Sequence, residues 1–216
     1  LKIPVRPVSS GGLYATQTLP VSVAFHEVIP EALAAWYDQV IVPGKESAVL
    51  DARQLSATMA IVDIGGRTTD YVVVKDQGVV HGSSGSLTKG LLDVQARVAQ
   101  EIQKRFDLEA LGEQCLAAAV ERRTVRLHGK DHEVSDIVES ARRELIEQIH
   151  AETRRQLGGG AQLDAVIFVG GGSAALAPDL AGWFPHQRIA EHPAFANARG
   201  MLKYLQYVCE EPATHN

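Results

Sequence analysis

The sequence is short of the features that would assign it at a glance. It has two cysteines, Cys115 and Cys209, far apart and at no metal-ligand spacing. That argues against a disulfide scaffold or a zinc module and makes a reduced, cytoplasmic setting the expectation. No apolar run approaches the ~20 residues of a membrane span. The opening "LKIPVRP" is too short and too polar for a signal peptide. A basic excess is missing too: the 216 residues carry a formal net charge of −5, which leaves no electrostatic footprint for direct nucleic-acid binding. The histidines are scattered, and neither an internal repeat nor a low-complexity segment occurs. What remains, 45% hydrophobic and 22% charged residues, is the range of a globular protein with one large domain or two modest ones.

The pattern along the chain alternates strands with helices. Val21 to Ile29, "VSVAFHEVI", is an expected strand from its β-branched content. Pro30 and Glu31 suit the start of a helix running to about Ile41. Pro43 to Ala57 reads as a polar connection. A strand is expected at Thr58 to Asp63 and another at Tyr71 to Lys75, and "DQG" at 76–78 should turn the chain so that Val79 to His81 pairs back. From Leu87 to Phe106 the period is helical, with Leu91, Val94, Val98, Ile102 and Phe106 on one face. "VRLHGKDHEV" (Val125 to Val134) reads as a hairpin with Gly129 at its tip. Ser135 is the expected N-cap of a helix to about Leu157, ended by Gly158 to Gly160. Ala165 to Val169 is a short buried strand, and Phe195 to Val208 is helical. The class is α/β, with a mixed sheet flanked by helices.

Two glycine-rich strand ends are the candidate site. In "DIGGRTTD", Asp63 to Asp70, a strand ends on a carboxylate. Gly65 and Gly66 then allow positive φ and close approach to the backbone. Successive amides in such a turn can form an anion-binding nest, Thr68 and Thr69 add hydroxyls, and Asp63 can hold Mg²⁺ through water. The same residues also suit a plain hairpin with a Gly-Gly turn. In "VIFVGGGSAAL", Val166 to Leu176, a buried strand runs into Gly170, Gly171, Gly172 and Ser173 and an apparent helix start, pointing amides and a positive dipole end at a ligand. A tight strand-to-helix turn is the plainer alternative. The spacing is neither the dinucleotide fingerprint nor a Walker loop.

Taken together these residues resemble a known family. "DIGGRTTD" is similar to the second phosphate loop of the actin-like ATPase superfamily and "VIFVGGGSAAL" to its adenosine motif. "VIPEALAAWY" (Val28 to Tyr37) resembles its first connecting helix and "HPAFANARGMLKYL" (His192 to Leu205) its second. All four stand in the family's order. The Pro-Glu of the first connection, the Gly85 to Gly90 run and Asn197 to Gly200 resemble the ParM-type plasmid-segregation actins of bacteria. The resemblance implies an actin-like, ribonuclease H-like fold that binds ATP or ADP with Mg²⁺. By the same resemblance, Asp63 positions the metal and its waters, and Gly65, Gly66, Thr68 and Thr69 line the β- and γ-phosphates; Arg67 stands where the family often has a small or hydroxyl residue, and its alternatives are a phosphate contact or a place in solvent. Glu31 orients the attacking water, and Gly170, Gly171, Gly172 and Ser173 line the adenosine and α-phosphate side. "ESARREL" (Glu139 to Leu145) is similar to the adenosine-contacting helix of the superfamily's chaperones, which makes Glu139 and Arg142 base or ribose contacts; a solvated helix face with i,i+3 pairs is the alternative.

The family's first phosphate loop is absent, and the chain begins at Leu1. The expectation is therefore a fragment, or a chain preceded by a further segment. Residues 1–57 would be the latter part of domain I, 58–189 a complete nucleotide-binding domain II, and 190–216 a helix returning to domain I. The implied function is an ATPase that polymerises head to tail into filaments for plasmid segregation, engaging DNA through an adaptor protein and no membrane. The alternatives are a non-polymerising chaperone-like or reactivating ATPase, a small-molecule kinase and a scaffold with a degenerate cleft.

Overall fold

The computed structural model describes residues 2–5, 17–20, 23, 26–44 and 48–209. They fall into two units, one from the described residues up to Ile29 and one spanning Pro30–Cys209. In the first, Lys2–Val5 (β1) and Gln17–Pro20 (β2) pair antiparallel. The expected strand at 21–29 is not found at positions 23 and 26–29, and the rest of that stretch lies outside the described residues. Val23 and Val28 are 69% and 90% exposed. β-branched residues favour strands by packing on a half-buried surface, and among the described residues Val23 and Val28 find none.

The second unit begins with helix Glu31–Val40 (α1). The segment expected to be an irregular connection is more ordered than that. Ile41–Pro43 (β3) pairs with Ala48–Leu50 (β4), and a one-turn helix, Ala52–Ser56 (α2), follows. Asp51 caps it by accepting the amides of Arg53 and Gln54. Next come Met59–Ile64 (β5), Thr69–Lys75 (β6), Gly78–Val79 (β7) and Gly85–Leu87 (β8). The long helix Leu91–Phe106 (α3) starts later than its periodicity suggests, because residues 85–87 pair with β6. Its five expected face residues are all buried or packed against the core. Helix Glu113–Arg122 (α4), which the periodicity does not reveal, leads into the hairpin Thr124–Leu127 (β9) and Lys130–Glu133 (β10). Ser135–Leu157 (α5) follows. Ser135 is its first helical residue rather than its cap, and its hydroxyl donates to the Glu133 carboxylate. The chain closes with Ala165–Val169 (β11), Gly170–Ala175 (α6), Ala177–Leu180 (α7), Gln187–Ile189 (β12) and Ala196–Tyr207 (α8).

The central sheet runs β12-β11-β5-β6-β7, with β8 also on β6. β12, β11 and β5 are parallel, while β5, β6 and β7 are antiparallel, so the sheet is mixed. Both faces are covered. Along β5, Ala60, Val62 and Ile64 join one core with α3, α4 and α5. Met59 and Ile61 point the other way and join Ala32, Ala35, Trp36 and Val40 of α1 and Ala196 of α8. This period-2 alternation explains the continuous apolar run of a strand buried on both sides. It also fixes a side for the next odd position. Asp63 faces α1 and α8.

Candidate active site

Strands β5 and β11 place the two glycine turns side by side. Val169 is opposite Asp63 in a parallel register, so both turns leave the same edge of the sheet although they lie far apart in the sequence. Asp63 is buried, 4% exposed. Its Oδ2 accepts the side-chain amide of Asn197 at 2.7 Å. Gly170, at φ +86°, lies so close that a Cβ there would stand 2.3 Å from Asp63 Oδ1. At Gly172 a Cβ would meet Ile64 Cγ2 at 2.4 Å. Glycine is therefore required at both, by backbone conformation in the first case and close approach in both. Gly171 is exposed, with open space around it. The first-turn amides of α6, which have no intrahelical acceptor, start at this edge.

The other turn, Gly65 to Thr68, closes the β5–β6 hairpin, with the Gly65 amide donating to the Thr68 carbonyl at 2.9 Å. Gly65 and Gly66 do not take positive φ, contrary to expectation. The glycine that this loop demands is Gly90, where a Cβ would sit 2.5 Å from the carbonyl carbon of Gly66. The loop rests on the start of α3, whose Leu91 and Leu92 amides donate to the carbonyls of Gly65 and Gly66. Among the described residues, the Gly66 and Arg67 amides donate to no protein group, and both residues are exposed. Two expected hydroxyls are already engaged: buried Thr69 donates to the Lys89 carbonyl and buried Ser173 to the Val169 carbonyl. Thr68 donates to Asp70 at 2.8 Å.

Burial pushes the Asp63 carboxyl above the ordinary carboxylate range; the Asn197 donor opposes this, and the charges of Glu31 and Asp70 add to it. Glu31, itself exposed in the first turn of α1, therefore acts on the space around Asp63. Asn197, which stands out in the sequence only as part of a motif, is a site residue to which no local pattern assigns a role. The alternation along β5 is the signal that could find it, since it turns Asp63 toward α8. Glu139 and Arg142 sit elsewhere. Exposed Glu139 pairs with Arg123 at 3.0 Å. Arg142 braces α5 against the end of α6, donating to the Ala175 carbonyl at 3.0 Å and to Asp179. Arg123 and Arg142 both line a small cavity of about 190 Å³ walled by Leu91, Val94, Val120, Val138 and Leu176.

The residues fit a metal-bound polyphosphate. Among the described residues no three potential metal-ligating side chains cluster. A single carboxylate beside unsatisfied amides suits a hard cation that keeps its waters and is held mainly by phosphate oxygens. No helix among the described residues is long and apolar enough to cross a membrane.

Residues 61–182 match a protein-family profile described as "Archaeal actin homologue MreB-like, C-terminal". No curated protein matches the chain. Among solved structures, a pCBH ParM non-polymerisable quadruple mutant superposes with a TM-score of 0.72 at 18% identity, over 89% of this chain and 57% of its own. A 15-stranded ParM filament from Clostridium botulinum gives 0.70 at 17% identity, over 89% and 56%. An archaeal actin homolog gives 0.63 at 20%, over 82% and 54%, and has also been solved in complex with ADP. The chain thus spans just over half the length of these relatives.

Proposed function

The chain belongs to the archaeal MreB-like actin homologues, and from that premise we propose that it supplies the nucleotide-binding half of an ATP-dependent, filament-forming protein. The observation that carries this reading is the register of Val169 with Asp63, which brings two glycine turns and one buried carboxylate to one sheet edge. Mg²⁺, when bound with ATP, would supply charge neutralisation at the phosphates. The chain's own residues have the remaining tasks. Asp63 would hold the metal through its waters, the Gly66 and Arg67 amides would donate to phosphate oxygens, and Glu31 would orient a water. Thr69 and Ser173 act indirectly, by holding their loops in place. The cavity beside Arg142 and Ala175 takes the base. Because phosphoryl transfer is mainly positioning and charge stabilisation, no covalent role is needed from the protein.

The finer proposal is polymerisation for plasmid segregation with an adaptor protein bridging to DNA, supported by the likeness to ParM structures, one of them a filament. Residues 1–57, 58–189 and 190–216 are proposed as partial first domain, nucleotide domain and returning helix. Right-angle light scattering tests the reading. Scattering should rise on adding ATP with Mg²⁺, decay as nucleotide is consumed, and persist in Glu31→Ala. Nucleotide binding with no rise at any concentration would instead favour a non-polymerising ATPase.

A further inference from the structure

Asn197 is the one side chain that holds the Asp63 carboxylate among the described residues. Its Nδ2 donates to Asp63 Oδ2 at 2.7 Å, across 134 residues of sequence. The orientation of the amide is set by chemistry: reversed, its oxygen would face a carboxylate oxygen, two acceptors with no proton between them. The other end of the amide gains nothing from this arrangement. Asn197 Oδ1 is buried without a hydrogen-bond partner among the described residues. An unmade bond of that kind costs stability, so the residue is poorly explained as a stabilising contact and well explained by its donor.

The donor's chemistry also matters. Three carboxylates, Glu31, Asp63 and Asp70, act on this space. A lysine or arginine at position 197 would fix Asp63 but cancel its charge. Asparagine fixes one oxygen and leaves the negative charge for a cation. Its own position is firmly set. One turn along α8, Gly200 lies against α1 so closely that a Cβ would stand 1.7 Å from the Ala34 carbonyl oxygen. Arg199 and Lys203 on the same helix both bind the buried carboxylate of Asp38. With α8 held against α1 just beyond it, at 199, 200 and 203, the Asn197 amide is carried to the end of β5.

We propose that Asn197 is a positioning residue that orients the Asp63 carboxylate toward a nucleotide-bound divalent cation. The proposal rests on the nucleotide reading above and assigns a role within that site. Partners behind a metal-site ligand orient it, and their loss typically weakens metal affinity by roughly 10–100-fold.

The test is calorimetric titration of ADP into the full chain, in Mg²⁺ and in EDTA, for wild type, Asn197→Ala, Asn197→Leu, Asp63→Asn and the double variant Asn197→Ala/Asp63→Asn. Asn197→Leu keeps roughly the size of the side chain and removes the donor without adding a charge, and melting in EDTA establishes that each variant is folded. The expected result is a Mg²⁺-dependent gain in ADP affinity that shrinks roughly 10–100-fold in both Asn197 variants while the affinity in EDTA stays level. The double variant should be no worse than Asp63→Asn, because Asn197 acts through that carboxylate. If wild type shows the gain and both Asn197 variants keep it in full, the positioning role is overturned and the nucleotide reading stands. If wild type gains nothing from Mg²⁺, both fall together.

Discussion

At the scale of single residues, the site trades stability for chemistry. Asp63 is raised above the ordinary carboxylate range chiefly by burial, with the Asn197 donor opposing and Glu31 and Asp70 adding. In the window between the ordinary and the raised pKa, the folded protein therefore holds a proton that the unfolded chain has released. Stability falls as pH rises through that window, and the deficit persists above it. Asp63→Asn should accordingly melt higher than wild type at pH 7 in EDTA, by roughly 2–4 °C for each kcal/mol recovered. The gap should close as the pH is taken below about 3.9, and melting curves in which it widens on acidification would contradict the assignment. The glycines make a second residue-scale prediction. Gly170→Ala forces both a positive φ and a clash with Asp63, and should cost more than about 2 kcal/mol in urea unfolding. Gly171→Ala, one residue on, meets nothing and should be nearly neutral in stability.

Between elements, the decisive contact is the crossing of α1 and α8. Small residues let the backbones touch, and the Asp38 cluster with Arg199 and Lys203 closes one side of the crossing. Gly200→Ala must push the helices apart, since 1.7 Å to a carbonyl oxygen is far inside contact distance. The expected cost is about 3 kcal/mol or more, at the upper end of overpacking effects, with the change in midpoint read from urea denaturation. The Asn197 side-chain amide should lose protection from hydrogen exchange in the same variant. A stability loss with unchanged protection would show that the crossing does not hold the site. The hairpin loop is supported in a different way. It rests on Gly90 and on the amides that open α3, so its shape depends on a helix that follows it rather than on its own glycines.

For the whole molecule, the prediction is a ligand-linked one. Saturating Mg²⁺-ADP binds only the folded state, and at a hundred times its Kd it adds about 2.7 kcal/mol. That corresponds to a rise in Tm of roughly 5–10 °C for a chain of this size. EDTA should remove part of the shift and Asp63→Ala most of it, as read by differential scanning fluorimetry. No shift at millimolar ADP would count against the nucleotide site. The chain spans just over half the length of its structural relatives, so the measurement also gauges how much of the binding this half provides.

Local pattern determined a good deal of this protein. The 3.6-residue period of α3, the Gly129 hairpin, the buried strands β5 and β11 and the mixed α/β class are all legible in the residues alone, because each depends on positions close together in the chain. The resemblance to the actin-like ATPases is borne out by the family profile and the fold. Short elements such as β4, α2 and α7 are illegible, since a few residues carry too little period to register. Helix α4 carries an apolar face of Cys115, Leu116, Ala119 and Val120, only Ala119 of it fully buried, and at ten residues that period is too short to stand out. Tertiary structure alone decided which groups stay available. Thr69 and Ser173 look like phosphate donors in the sequence but satisfy carbonyls in the fold, and Arg142 turns to Asp179. Asn197 reaches Asp63 from the far end of the chain. Hydrogen bonds between distant segments leave no trace in local sequence, because they depend on which strand edge and helix end the packing brings together.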